Sequence, residues 1–89
     1  MLRTRRGKQL ITTKRNKIME RKTVTSSNIA EIGYDPDLEI LEIMFLRTSA
    51  VYQYFNVPQF MHERLMQADS HGVFFNAEIK GHYPEERIT

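Results

Sequence analysis

The chain has 89 residues, a formal charge of +2, 40% hydrophobic residues and no cysteine. That length holds one domain, and a core plus a deep substrate cleft is hard to build from it. The lack of cysteine excludes disulfides and thiolate metal sites and fits the cytoplasm, and no apolar run is long enough for a membrane span.

The charge is sharply divided. Residues 1–22 carry Arg3, Arg5, Arg6, Lys8, Lys14, Arg15, Lys17, Arg21 and Lys22 against Glu20 alone, a balance of +8; residues 23–89 hold −6. The first segment has scattered apolar residues and no sustained period, so it is expected to be a disordered extension. Its cations suit a polyanion such as nucleic acid or anionic lipid. No apolar stretch follows them, as a secretory signal would require. Three readings stand for the segment: a solvated arm, a stretch upstream of a true start at Met19, and an arm that binds phosphates.

From Val24 the pattern changes. Residues 28–34 read as a short strand anchored by Ile29 and Ile32. Asp35-Pro36-Asp37 is a turn signal, because Pro fixes φ and Asp side chains bond nearby backbone. Residues 38–46 alternate, with Leu41, Ile43 and Phe45 on one face and Ile40, Glu42 and Met44 on the other. After the polar turn at Arg47-Thr48-Ser49, residues 50–56 form a third strand with Tyr52 and Tyr54 on the same side. Pro58 suits the first position of a helix, along which Met61, Leu65 and Ala68 make an apolar stripe. Ser70-His71-Gly72 interrupts it. Phe75 and Ile79 then predict a short second helix over residues 73–80, ending at Gly81. The expected fold is α+β: a three-stranded antiparallel meander covered by one or two short C-terminal helices, with the domain at 23–84 and a frayed tail at 85–89.

An ordered series of phrases runs through this region. It comprises Ser26-Ser27-Asn28-Ile29, Ile32-Gly33-Tyr34-Asp35, Leu41-Glu42-Ile43-Met44-Phe45, Tyr52-Gln53-Tyr54, Val57-Pro58, Leu65-Met66-Gln67-Ala68, Ser70-His71-Gly72, Phe74-Phe75-Asn76, Ile79 and Tyr83-Pro84. The series resembles the KTSC domain family, named for a segment at the C-terminus of some lysyl-tRNA synthetases, and the Tyr-x-Tyr at its centre is that family's usual marker. The sequence departs in having Ser49-Ala50 at a hairpin turn where glycine would be ordinary. The resemblance implies RNA binding as an expectation, through the synthetase connection, and brings no catalytic residues.

Tyr52 and Tyr54 admit two readings, a platform for unpaired bases or ordinary packing under the helix. Lys80, Arg64 and Arg47 are the main cations of the body, and Asn76 and Lys80, with His82 and Tyr83 nearby, are its first candidates for contact with RNA. A solvated helix face is the plainer alternative for them. His62, His71 and His82 have no metal-ligand spacing and read as surface residues. Asp35, Asp37 and Glu39 lack the glycine and terminal glutamate of a calcium loop, and Ser26-Ser27 lacks a nucleophile's glycine-flanked elbow. No enzyme, metal site or cofactor is expected. The leading expectation is a non-catalytic module for RNA or other nucleic acid, with the basic arm supplying phosphate contacts and releasing counterions. The alternative is a protein–protein interaction domain with an acidic body and an incidental arm.

The patterned elements all follow Met19, so a chain beginning there is expected to unfold cooperatively near the melting temperature of the full chain. Loss of cooperative unfolding in the shorter chain, followed by circular dichroism, would make the arm structural.

Overall fold

The computed structural model describes residues 19–89, so Arg3, Arg5, Arg6, Lys8, Lys14, Arg15 and Lys17 lie outside the described residues. The elements are β1 (Arg21–Thr23), β2 (Ile29–Asp35), β3 (Ile40–Phe45), β4 (Val51–Tyr54), α1 (Gln59–Gln67), α2 (His71–Phe74) running into a π-helical turn (Phe75–Ile79), and β5 (Glu85–Arg87). The strands form one antiparallel sheet in chain order.

The α+β meander is therefore present with five strands rather than three. Both additions are edge strands of three residues. Arg21 and Lys22, expected in the disordered arm, belong to β1, and residues 85–87, expected in the frayed tail, form β5. Neither segment alternates apolar and polar side chains, so periodicity carries no signal for it. Backbone pairing with β2 and β4 creates both strands, and charged side chains are usual on such edges.

Local chemistry sets the turns. The Asp35 carboxylate accepts from the backbone N–H groups of Asp37 and Leu38 at 3.0 and 3.2 Å, ending β2. Between β3 and β4, Ser49 takes the left-handed backbone conformation with φ 60°, the role a glycine would ordinarily fill. Pro58 is the residue preceding α1 rather than its first helical residue, with extended backbone at ψ 156°. The second helix starts at His71, two residues earlier than expected, because the Ser70 hydroxyl caps it by accepting from Val73 N–H at 3.2 Å.

Alternation assigns the two faces of the sheet. Lys22, Ile32, Ile43, Tyr52 and Arg87 stand in register on one side, with Tyr34, Leu41, Tyr54 and Glu85 in the next row. Ile29, Ile32, Leu41, Ile43 and Tyr54 from this side pack with Val57, Met61, Leu65, Phe75 and Ile79 into one core. The opposite side carries Arg21, Gly33, Glu42, Gln53 and Glu86 in register. Here Glu42 is only 4% exposed. One of its carboxylate oxygens accepts from Gln53 Nε2 at 2.8 Å, and the other pairs with the Arg21 guanidinium. Arg21 also pairs with Glu31 at 2.8 Å. To reach β3 the Arg21 side chain passes over Gly33, where a Cβ would lie 2.8 Å from Arg21 Cγ and 2.7 Å from the Glu20 carbonyl oxygen.

Removing one partner of a buried carboxylate leaves the other desolvated and unsatisfied. Arg21→Ala is expected to lose about 2 kcal/mol of stability, part of it regained when Glu42→Gln is added. Urea unfolding of the two variants checks this, and additive losses would disprove the coupling.

Candidate functional site

Among the described residues, depressions lie beside the helices where they cover the sheet, and two of them hold sequence candidates. The smaller, of about 410 Å³, is floored by rings. Tyr54 is 2% exposed and meets Phe75 edge-on, with centroids 5.3 Å apart at 77°. Phe75 meets Phe45 edge-on at 5.6 Å, and Phe45 meets Tyr52 edge-on at 5.8 Å. Tyr52 closes the set, lying 6.4 Å from Tyr54 at 24°, and it remains half-buried. Burial, with the neighbouring Glu85 carboxylate next and Tyr52 least, keeps the Tyr54 hydroxyl protonated above its ordinary range.

Polar side chains rim this floor. Asn76 and Lys80 are exposed and come from the π-helical turn and the residue after it, where Lys80 N–H donates to the Phe75 carbonyl at 2.9 Å. Phe75 and Ile79 of the same turn are buried, so the core holds one side while the polar pair faces the cleft. Asn28 enters from the loop before β2. Its own N–H donates to the Ser26 hydroxyl at 3.2 Å. Its side chain lies against Gly72, where a Cβ would approach Asn28 Nδ2 to 3.2 Å. Glu85 comes from β5, opposite Tyr54 in the ladder.

The larger depression, about 620 Å³, lies between β1, β2 and α1. Tyr34 and His62 stack there at 4.6 Å and 10°, and the Tyr34 hydroxyl donates to the Val57 carbonyl at 2.5 Å. Burial holds the His62 imidazole below its ordinary pKa; Glu63 opposes this and Lys22 adds to it. His71 Nδ1 lies 2.9 Å from the Leu65 carbonyl oxygen. His62 and His71 are thus half-buried packing residues rather than the surface residues expected from their spacing. Among the described residues, Lys22 is the one lysine or arginine lining this groove, with Glu20 and Asp35 beside it. Among the described residues, no group of three or more His, Asp or Glu is arranged to hold a metal ion, and no helix is long and apolar enough to cross a membrane.

The sequence candidates thus separate. Tyr52, Tyr54, Asn76 and Lys80 meet at the smaller cleft, where Tyr54 is floor and the others are accessible. Lys22 lies at the other depression, and Arg21 is held by Glu31 and Glu42. Sequence reasoning missed Asn28 and Glu85. Asn28 sits within one of the family-like phrases, but Glu85 lies in a segment expected to be frayed.

The KTSC domain family model matches residues 25–83. The chain belongs to the KTSC domain family. It is 45% identical to the KTSC domain protein from Yersinia pestis, whose crystal structure superposes with a TM-score of 0.76, covering 80% of this chain and 99% of that one. An uncharacterized protein of Stutzerimonas stutzeri (strain A1501) is 41% identical over 71 residues, 79% of this chain and 99% of its own length. A protein of Tsukamurella paurometabola is 40% identical over 57 residues, 64% of this chain and 84% of its own. The Tyr-x-Tyr of this KTSC domain lies on β4, at the centre of the ring cluster.

Truncating a core aromatic costs far more than removing its hydroxyl. Tyr54→Ala is expected to lose about 3–5 kcal/mol, and Tyr54→Phe about 1 kcal/mol. Chemical denaturation distinguishes them; near-normal stability of Tyr54→Ala would place the ring outside the core.

Proposed function

We propose that this KTSC domain is a non-catalytic binding module for single-stranded RNA, with the cleft beside Tyr52 taking an unpaired base and the basic N-terminal residues holding phosphates. The observation that carries this reading is the meeting of Tyr52, Asn28, Asn76 and Lys80, from three separate segments, at one cleft with a ring floor. An accessible aromatic ring offers a stacking surface to an unstacked base, and amide and ammonium groups offer the hydrogen bonds that base edges and phosphates need. The reading favours this cleft over the larger groove because the latter, among the described residues, sets a single lysine against two carboxylates.

Charge divides the labour. The body alone, at −6 over residues 23–89, repels a polyanion. The cations of residues 1–18 supply attraction without base information, and the cleft supplies discrimination. The Stutzerimonas relative is matched over 99% of its length by 71 of the 89 residues, and the family model begins at residue 25. The shared unit is therefore the body, and on this reading the basic segment adds affinity to it. The cytoplasm, where RNA is plentiful and a cysteine-free chain needs no oxidising compartment, is the location this function assigns.

The test is a titration of the full chain and of residues 19–89 with a fluorescent single-stranded RNA across a range of salt. With about six phosphate contacts, the log–log slope for the full chain is expected near −4, and much shallower for the shortened chain. Tyr52→Ala is expected to weaken binding at every salt concentration. If neither chain binds, the RNA reading fails and a protein partner for the acidic body takes its place.

A further inference from the structure

Tyr54 is a core ring whose side chain has a single polar atom. That hydroxyl is hydrogen-bonded to the carboxylate of Glu85, its cross-strand neighbour on β5. The tyrosine is 2% exposed, whereas Glu85 is exposed, and both residues line the smaller cleft. A buried hydroxyl needs a partner, and here a surface carboxylate serves. The backbone around Glu85 is fixed independently of that contact. The Pro84 carbonyl accepts from Phe55 N–H at 2.9 Å, and Ile88 N–H donates to the Val51 carbonyl at 2.7 Å. Rotation of the Glu85 side chain toward solvent therefore frees the hydroxyl while β5 stays paired. Among the described residues that line the cleft, Lys80 and Glu85 alone carry a full charge, so withdrawal of the carboxylate leaves a single positive charge there.

We infer that Glu85 is an internal occupant of the cleft, which a phosphate of the RNA strand displaces from the Tyr54 hydroxyl. The inference rests on the RNA-binding reading and adds two parts to it, a further binding group and a residue that opposes binding. An ionised carboxylate is a compact anion that only accepts hydrogen bonds, and a phosphodiester offers the same chemistry. The donor that holds the first therefore suits the second. In the free chain the hydroxyl donates to Glu85. In the bound chain Glu85 turns to solvent, the hydroxyl donates to a phosphate oxygen, and Tyr52 stacks on a base. One hydrogen bond to an anion replaces another, so the exchange by itself adds little affinity. Its consequence is a threshold. A lone phosphate must displace the carboxylate unaided, whereas a strand also gains stacking on Tyr52 and the attraction of the basic N-terminal residues.

The experiment titrates variants of the full chain with a fluorescent single-stranded oligouridylate at constant ionic strength. Glu85→Ala removes the internal occupant and is expected to tighten binding by about fivefold to tenfold, the range of one hydrogen bond to a charged group. Glu86→Ala removes an equal charge from the same strand, on the opposite face beside Gln53, and is expected to shift the affinity by less than about twofold. Glu85→Gln keeps an acceptor without the charge and is expected to fall between the two. Adding Tyr54→Phe to Glu85→Ala takes away the freed donor and is expected to cancel most of the gain. Inorganic phosphate, at the concentration of phosphate in the strand, is expected to leave the strand bound. Melting curves check that each variant folds, and the comparison of Glu85→Ala with Glu86→Ala stands without the tyrosine variant. Equal effects of those two alanine variants would overturn the inference and leave RNA binding standing. A double variant that binds as tightly as Glu85→Ala would overturn the part assigned to the hydroxyl. Displacement of the strand by inorganic phosphate would overturn the strand as the source of the anion. Absence of binding by every variant would overturn both readings together.

Discussion

The insertion of the Phe75 ring between Tyr54 and Phe45 holds the helical layer on the sheet and creates the cleft at the same time. Edge-to-face contacts prefer one orientation over free sliding, so two such contacts from one ring restrict both the height and the rotation of the turn that carries it. Asn76 and Lys80 inherit their positions from that restriction. The same rings that exclude water from the core form the floor of the cleft, and Tyr52 shows how the two uses coexist, since it packs against Phe45 and still keeps part of its surface in solvent.

The π-helical turn follows from what the core requires of it. Phe75 and Ile79 both enter the core, while the chain must leave for β5 shortly afterwards. Widening the last turn lets Lys80 N–H reach back five residues to the Phe75 carbonyl and splays the following residues away from the helix axis. Gly81, with φ at 84°, completes the change of direction. Widened turns of this kind are frequent at binding sites, where they turn a side chain away from the regular helical stripe.

The central part of the fold was legible because its residues alternate or recur. Leu41, Ile43 and Tyr54 declared one face of the sheet, and Met61 and Leu65 declared the helix that covers it. The two edge strands were not legible, since Arg21-Lys22-Thr23 and Glu85-Glu86-Arg87 have no apolar face and form only by pairing with neighbours. The need for glycine at position 33 was hidden for a related reason: it depends on a side chain from β1 crossing toward β3. At the cleft, residue type drew attention to Tyr52, Tyr54, Asn76 and Lys80. Only the fold brings Asn28 and Glu85 to join them, because Asn28 precedes β2 and Glu85 lies at the far end of the chain.

Chain-order topology makes the strand carrying Glu85 the last to be secured. Each of the other pairings joins neighbouring segments across a short turn, whereas Arg87 reaches Tyr52 only after the whole helical layer has been laid down. Closing the longest loop makes β5 a late arrival in folding. Like β1 it is a strand of three residues held by one neighbour, and all three of its residues are exposed. Such a strand opens locally at a small fraction of the free energy of global unfolding, so its amides exchange with solvent well before those of β2 and β3. The strand that carries Glu85 is thereby expected to be less protected than the centre of the sheet, where Tyr54 belongs to the closed core.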